Sequence, residues 1–185
     1  MKIDRIEIRE VAMPLKFRFQ TSFGVEQHRR ILLIALHGEG ERGLAECVAG
    51  EFPGYAPETT DTAWIVLEHF IAPRIVGASF STADELLAAL EPIRGHDMTV
   101  AAVEMAFWDL QARLLDVPLW QLLGGIHRPI PVGISIGIQP SAKETVAAAV
   151  AGAEEGYQRI KLKIEPGWDL EPVAAVRNAL PSIAL

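Results

Sequence analysis

Two lysines stand one residue apart in the run RIKLKI, Arg159 to Ile164. On a strand, alternate side chains share a face. Lys161 and Lys163 therefore point one way, and Ile160, Leu162 and Ile164 the other. Two ammonium groups turned into a protein interior lose hydration and repel each other, and both effects favour the neutral amine. A neutral lysine amine is a general base. The simpler reading of the run alone is a solvated edge strand whose polar face holds Arg159, Lys161, Lys163 and Glu165. A parallel βαβ setting argues against that reading, because such strands are normally covered on both faces.

The remaining reactive side chains form weaker patterns. His37 and Glu39 have metal-like spacing but lie at a glycine turn, where a solvated hairpin tip is expected. His28, His69, His96 and His127 are scattered, with no HExxH pair. Cys47 ends an apparent strand, has no activating partner nearby in sequence, and reads as a packed thiol. Glu104 and Asp109 read as surface charges or as partners of a buried cap. GISIGI, Gly133 to Ile138, has no glycine-rich turn entering a helix, so it is not a dinucleotide fingerprint. Ser135 within it lacks a nucleophile elbow.

The elements that must hold these residues fall into two grammars. The N-terminal part opens with period-two alternation, Ile6 and Ile8 against Glu7 and Arg9, as in a half-buried strand. Arg30–Leu36 and Gly43–Val48 are a second and third strand. HGEGERG joins them, with Gly38, Gly40 and Gly43 supplying turn chemistry, so the sheet is antiparallel. Two segments read as loops. Pro14–Gln27 holds Phe17, Phe19 and Phe23, and Ala49–Pro57 holds Phe52 and Tyr55. Such aromatics are either lid residues or, more simply, plugs for the edge of the core. Helices follow. Thr59–Ile71 has Trp64, Leu67 and Phe70 at helical spacing and stops near Pro73. Thr82 and Glu85 form a capping box for a helix to Leu90. Asp97 or Thr99 caps Val100–Leu115, whose stripe is Val103, Phe107, Leu110 and Leu114.

Beyond Pro118 and the LLGG ending at Gly125, the order becomes β-α-β-α-β: Val132–Ile138, an Ala-rich helix capped by Ser141 and Glu144, Arg159–Ile164, a helix from Asp169, and an apolar start at Ser182. This is the signature of a parallel sheet under helices. Two βα units cannot close such a sheet, so a chain truncated within its second domain is expected.

The 185 residues carry a net charge of -7 and 50% apolar residues, with no basic patch beyond Arg29-Arg30. A nucleic-acid binder is not expected. There is no long apolar run for a membrane span, nor a signal peptide in MKIDRIEIRE. One cysteine excludes an internal disulfide. A cytoplasmic protein is expected.

The order of these features, with AAVEMAFWDLQARLLDVPLWQLLGG (Ala101–Gly125), the KFRFQTSFG segment and RIKLKIEPGWD, resembles the muconate-lactonizing subgroup of the enolase superfamily. Within it, the chain is similar to the o-succinylbenzoate synthase and N-succinylamino acid racemase branch. The resemblance implies an α+β N-terminal cap domain, residues 1–125, followed by the first βα units of a TIM-type barrel, residues 126–185. It implies proton abstraction α to a carboxylate, with Mg²⁺ or Mn²⁺ stabilising the enediolate. Lys163 is then the base, with Lys161 beside it favouring its neutral form. Phe19, Phe23, Tyr55 and Ser135 line the pocket for a small-molecule carboxylate.

None of the metal ligands is expected among the residues present. They are expected beyond Leu185, so this piece alone should be inactive. Pro131–Leu185 is a small part of the about 250 residues of a complete barrel. The complete protein is expected to be a homo-oligomeric lyase or isomerase serving menaquinone biosynthesis. Dipeptide epimerisation, muconate cycloisomerisation and a non-catalytic fragment remain alternatives, since fold does not fix substrate.

Overall fold

A computed structural model describes residues 1–185. It divides into two compact units, Met1–Met13 with Arg29–His127, and Pro14–His28 with Arg128–Leu185.

The N-terminal sheet has β1 (Arg5–Thr21), β2 (Gly24–Gly38) and β3 (Glu41–Cys47), in the order β1-β2-β3, and the stretch of β1 and β2 between residues 14 and 28 belongs to the second unit. β2 and β3 are antiparallel, with Leu32 opposite Cys47, Ile34 opposite Ala45 and Leu36 opposite Gly43. Alternation decides which face is buried. Leu32, Ile34 and Leu36 are at most 1% exposed, whereas Leu33 between them is 40% exposed. The buried face packs on α4 (Asp97–Leu114), whose Val103, Phe107 and Leu110 are fully buried, as the stripe predicts.

Gly43 sets the closeness of that packing. A Cβ there would stand 2.0 Å from the Ala106 carbonyl oxygen and 2.3 Å from the Leu110 nitrogen. Of the three glycines read as turn residues, only Gly40 is left-handed, at φ 89°, next to Glu39 at 53°. Gly38 and Gly43 are close-approach positions instead.

Three local expectations are corrected. Pro14–Gln27 is not a loop but the end of β1, the turn at Ser22-Phe23 and the start of β2. Its polar residues suit a two-sided solvated ribbon as well as a loop. The helix expected to stop near Pro73 runs on. α1 (Thr60–Val66) opens into one π turn, Leu67–Ile71, and continues as α2 (Ala72–Ile75). The π turn ends on a bond from the Ala72 N–H to the Leu67 carbonyl, so the missing N–H of Pro73 falls at a fresh helix start, where it is tolerated. The buried stripe becomes Ala63, Leu67, Ile71 and Ile75, and Phe70 is 49% exposed.

The third correction concerns α4. Neither Asp97 nor Thr99 caps it, and His96 stands at the N-cap without a side-chain bond. Glu58, 3% exposed, caps it from outside. Its Oε1 accepts from the Met98 N–H at 2.6 Å, and its Oε2 accepts from the Thr99 N–H at 3.1 Å and the Thr99 hydroxyl at 2.7 Å. A carboxylate there also suits the helix dipole. The helix α3 (Ala83–Leu90) has the expected Thr82 cap, and a short α5 (Leu119–Leu122) follows Pro118.

The second unit holds β4 (Gly133–Ile136), α6 (Ala142–Glu154), β5 (Arg159–Leu162) and α7 (Leu170–Ala179). β4 and β5 are parallel. A further parallel bridge joins Arg159 to Ala184, with the Ile160 N–H donating to the Ala184 carbonyl at 2.8 Å. The core of this unit is Ile136, Ala149, Ile160 and Val176. Ser141 caps α6 through the Glu144 N–H, as expected.

The architecture is thus an α+β cap domain, with an antiparallel sheet and helices, leading into parallel βα units.

Candidate functional site

Strand register places the polar residues of the second unit together. Ser135 pairs with Lys161, between the pairs Ile134–Ile160 and Ile136–Leu162. Ile136 and Ile160 turn into the helix-covered core, at 6% and 0% exposure. Ser135 and Lys161 therefore turn to the other face, and both are exposed. β5 ends at Leu162, one residue before Lys163. The ladder still reaches that lysine, because its N–H donates to the Ile136 carbonyl at 2.9 Å. Lys163 is half-buried. It stands at the C-terminal end of the strand, where barrel enzymes hold their chemistry.

The chain then turns sharply. Glu165 and Trp168 exchange backbone hydrogen bonds around Gly167 at φ 84°, and Asp169 caps α7. The PGW segment thus returns the backbone to a helix directly behind the lysine strand.

Phe19 comes to the same place from β1. The Lys163 Nζ lies 6.0 Å from the centroid of its ring, the outer limit of a cation–π contact. The backbone beside it is fixed, since the Ile138 N–H donates to the Gln20 carbonyl at 3.0 Å. Gly137 makes room for this approach. A Cβ there would meet the Gln20 nitrogen and oxygen at 3.2 Å and the Phe19 Cδ2 at 3.4 Å. Sequence reasoning passed over Gly137 as a failed nucleotide fingerprint. The available signal was a glycine at the end of an apolar strand, which marks close backbone approach.

The structure thus groups Lys161, Lys163, Ser135 and Phe19. Phe23 lies on the β1–β2 turn and is 87% exposed. Tyr55 belongs to the first unit, in the bend segment after β3, and is also 87% exposed. With Phe17 at 73% and Phe52 at 80%, these aromatics do not plug a core, which corrects the simpler sequence reading. Phe19 alone among them is half-buried.

Other reactive groups have structural partners. His37 bonds Arg5 Nη2 through its Nε2 at 3.0 Å. Asp109 Oδ2 accepts from the Leu44 N–H and from Arg113 Nε, each at 2.8 Å. Cys47 is 1% exposed, and burial pushes its thiol pKa up. No group of three His, Cys, Asp or Glu side chains is placed to hold a metal ion. The residues present therefore do not fit a magnesium site. No helix is long and apolar enough to cross a membrane.

Residues 3–124 match the mandelate racemase / muconate lactonizing enzyme N-terminal domain. The chain belongs to this family, within the enolase superfamily. It is 49% identical, over 185 residues, to an N-succinylamino acid racemase of Thermus thermophilus, covering all of this chain and 50% of that protein. It is 39% identical to an o-succinylbenzoate synthase of Geobacillus kaustophilus, again across the whole chain and 50% of the relative. A solved enolase-superfamily member from Listeria innocua superposes with a TM-score of 0.91 at 30% identity, covering 99% of this chain and 50% of that one. The chain spans about half the length of the curated relatives it matches.

Proposed function

We propose that this chain supplies the proton-abstracting lysine and part of the pocket for α-proton removal from a small-molecule carboxylate. The reaction we assign to the whole protein is o-succinylbenzoate synthesis, in the route to menaquinone, with N-succinylamino acid racemisation as a second activity. The observation that supports it is the placement of Lys163 beyond the end of β5, half-buried, with Phe19 beside it and the Lys161–Ser135 pair on the open face.

In this reading the neutral Lys163 amine takes the α-proton. The C–H electron pair passes into the carboxylate as an enediolate, and the amine becomes an ammonium. Phe19 then presents a ring to that new cation. Lys161 raises the local positive potential that an anionic substrate meets. Ser135, Phe23 and Tyr55 are proposed to contact the substrate. Residues 1–125 act as the cap domain and 126–185 as the first barrel units. The whole protein is a cytoplasmic homo-oligomer that takes Mg²⁺ or Mn²⁺ on ligands outside these residues. The chain alone is inactive.

The test is solvent deuterium exchange at the α-carbon of an N-succinylamino acid, in a protein of the relatives' length that contains this chain. Exchange that disappears in Lys163→Ala supports the reading. Full exchange in that variant removes Lys163 from the role. Turnover of dipeptides or muconate in place of succinyl compounds would move the assignment to a sister activity.

A further inference from the structure

We propose that Gly137 is a positioning residue: its missing side chain lets the Phe19–Gln20 stretch of β1 lie on the end of β4, and this sets the Phe19 ring beside the Lys163 amine.

Three observations within the second unit converge on this. The Ile138 N–H donates to the Gln20 carbonyl at 3.0 Å, so the two backbones meet directly at this point. Gly137 is buried between them. A Cβ there would stand 3.2 Å from both the nitrogen and the oxygen of Gln20, and 3.4 Å from Phe19 Cδ2. The two closest atoms are backbone, so they cannot swing away as the end of a long side chain does. Gly137 is not in the left-handed region, unlike Gly156 and Gly167. Its requirement is therefore for space and not for an unusual backbone conformation.

The consequence falls on Lys163. Phe19 is next to Gln20, whose carbonyl accepts from the Ile138 N–H, so a shift of that backbone carries the ring with it. A Cβ added at Gly137 presses on the Gln20 backbone and comes into contact with the edge of the Phe19 ring, and the larger side chain of valine presses on both. A ring at 6.0 Å from Nζ is at the edge of useful attraction, so a small outward movement ends the contact. The residue acts through Phe19 and does not itself touch a substrate.

The role of Lys163 as base rests on the proposed function, but the placement of Phe19 does not. The test separates them. In a protein of the relatives' length, lysines are reductively methylated with ¹³C, and the Lys163 signal is identified by its loss in Lys163→Arg. The Phe19 ring current should displace that signal, and Phe19→Leu should release it. Gly137→Ala, the milder variant, should move the signal part of the way to the Phe19→Leu position, and Gly137→Val the full way.

The second arm is α-proton exchange in unmodified protein. Gly137→Val should slow it about 10²-fold, the scale of an ångström-sized misplacement. Gly137→Ala should cost several-fold with Phe19 present but under about twofold in Phe19→Leu, since the two changes share one pathway. An unmoved signal in both Gly137 variants, or equal losses in both backgrounds, overturns the proposal. A parent protein with no exchange overturns the reaction instead, and the signal then decides the positioning role by itself.

Discussion

Ser135 and Lys161 stand opposite each other on the parallel strands β4 and β5, and both lie on the sheet face turned away from the helices. Their neighbours Ile136 and Ile160 are buried on the other side. A parallel sheet normally covers both faces with apolar side chains. Here one face is apolar and covered, and the other is polar and open. The strand alternation that buries two isoleucines is what gathers a hydroxyl and an amine, with Lys163 one step beyond.

The close packing of β3 on α4 gives a direct stability test. In Gly43→Ala the new methyl overlaps the backbone of Ala106 and Leu110, and neither can move without shifting a buried helix. The expected cost is about 3 kcal/mol, at the upper end for overpacking. Urea unfolding should show a lower midpoint with an unchanged slope. Gly40→Ala loses stability for a different reason, its positive φ, and is expected to cost less.

Glu58 is the buried carboxylate that ends α4, and its loss strands three donors at Met98 and Thr99. Glu58→Ala should cost about 3 kcal/mol, because hydrogen bonds to a charged acceptor are strong and the orphaned donors stay buried. Glu58→Gln should cost less, with the same sign. Thermal unfolding of the two variants beside the parent checks the order. Equal stability of Glu58→Ala and parent would contradict the cap.

The Arg30 guanidinium makes two bonds to Glu10, at 2.7 and 3.0 Å, and one to Asp61 at 2.8 Å. The Arg30 hydrogen bonds hold the Glu10 carboxyl below its ordinary pKa. A lowered carboxylate contributes stability at pH values above its unfolded value, and that contribution is lost as pH falls through the folded value. NMR titration should place the Glu10 midpoint below the usual carboxylate range, and Arg30→Met should return it there. An unchanged midpoint in Arg30→Met would show that the pair is not the cause. Because the pair is exposed to solvent, raised salt should weaken the effect.

Much of the fold was legible because alternation and capping are local. Ile6 and Ile8, the Val103–Phe107–Leu110 stripe, and the Thr82 and Ser141 caps follow from spacing alone. The misses came from partners distant in sequence. Nothing near Asp97 announces that Glu58 will cap α4, and the π turn before Pro73 answers a packing need that no helical period shows. The lysine face was legible as a face, since it needs only the period of a strand. That Phe19 would arrive beside Lys163 was not, because it depends on a bare backbone at Gly137. The aromatics were ambiguous for a similar reason. Phe17, Phe19 and Phe23 look alike in sequence, and only a tertiary contact separates the half-buried one from the two exposed ones.

Lys163 is proposed to remove the α-proton. The most direct measurement is α-proton exchange of an N-succinylamino acid in deuterium oxide, by NMR, in a protein of the relatives' length, comparing parent, Lys161→Met and Lys163→Ala. Steady exchange is expected in the parent, a slower but measurable rate in Lys161→Met, and a loss of at least about 10²-fold in Lys163→Ala, the usual scale of general-base removal. Exchange at the parent rate in Lys163→Ala, with substrate still bound, would contradict that role.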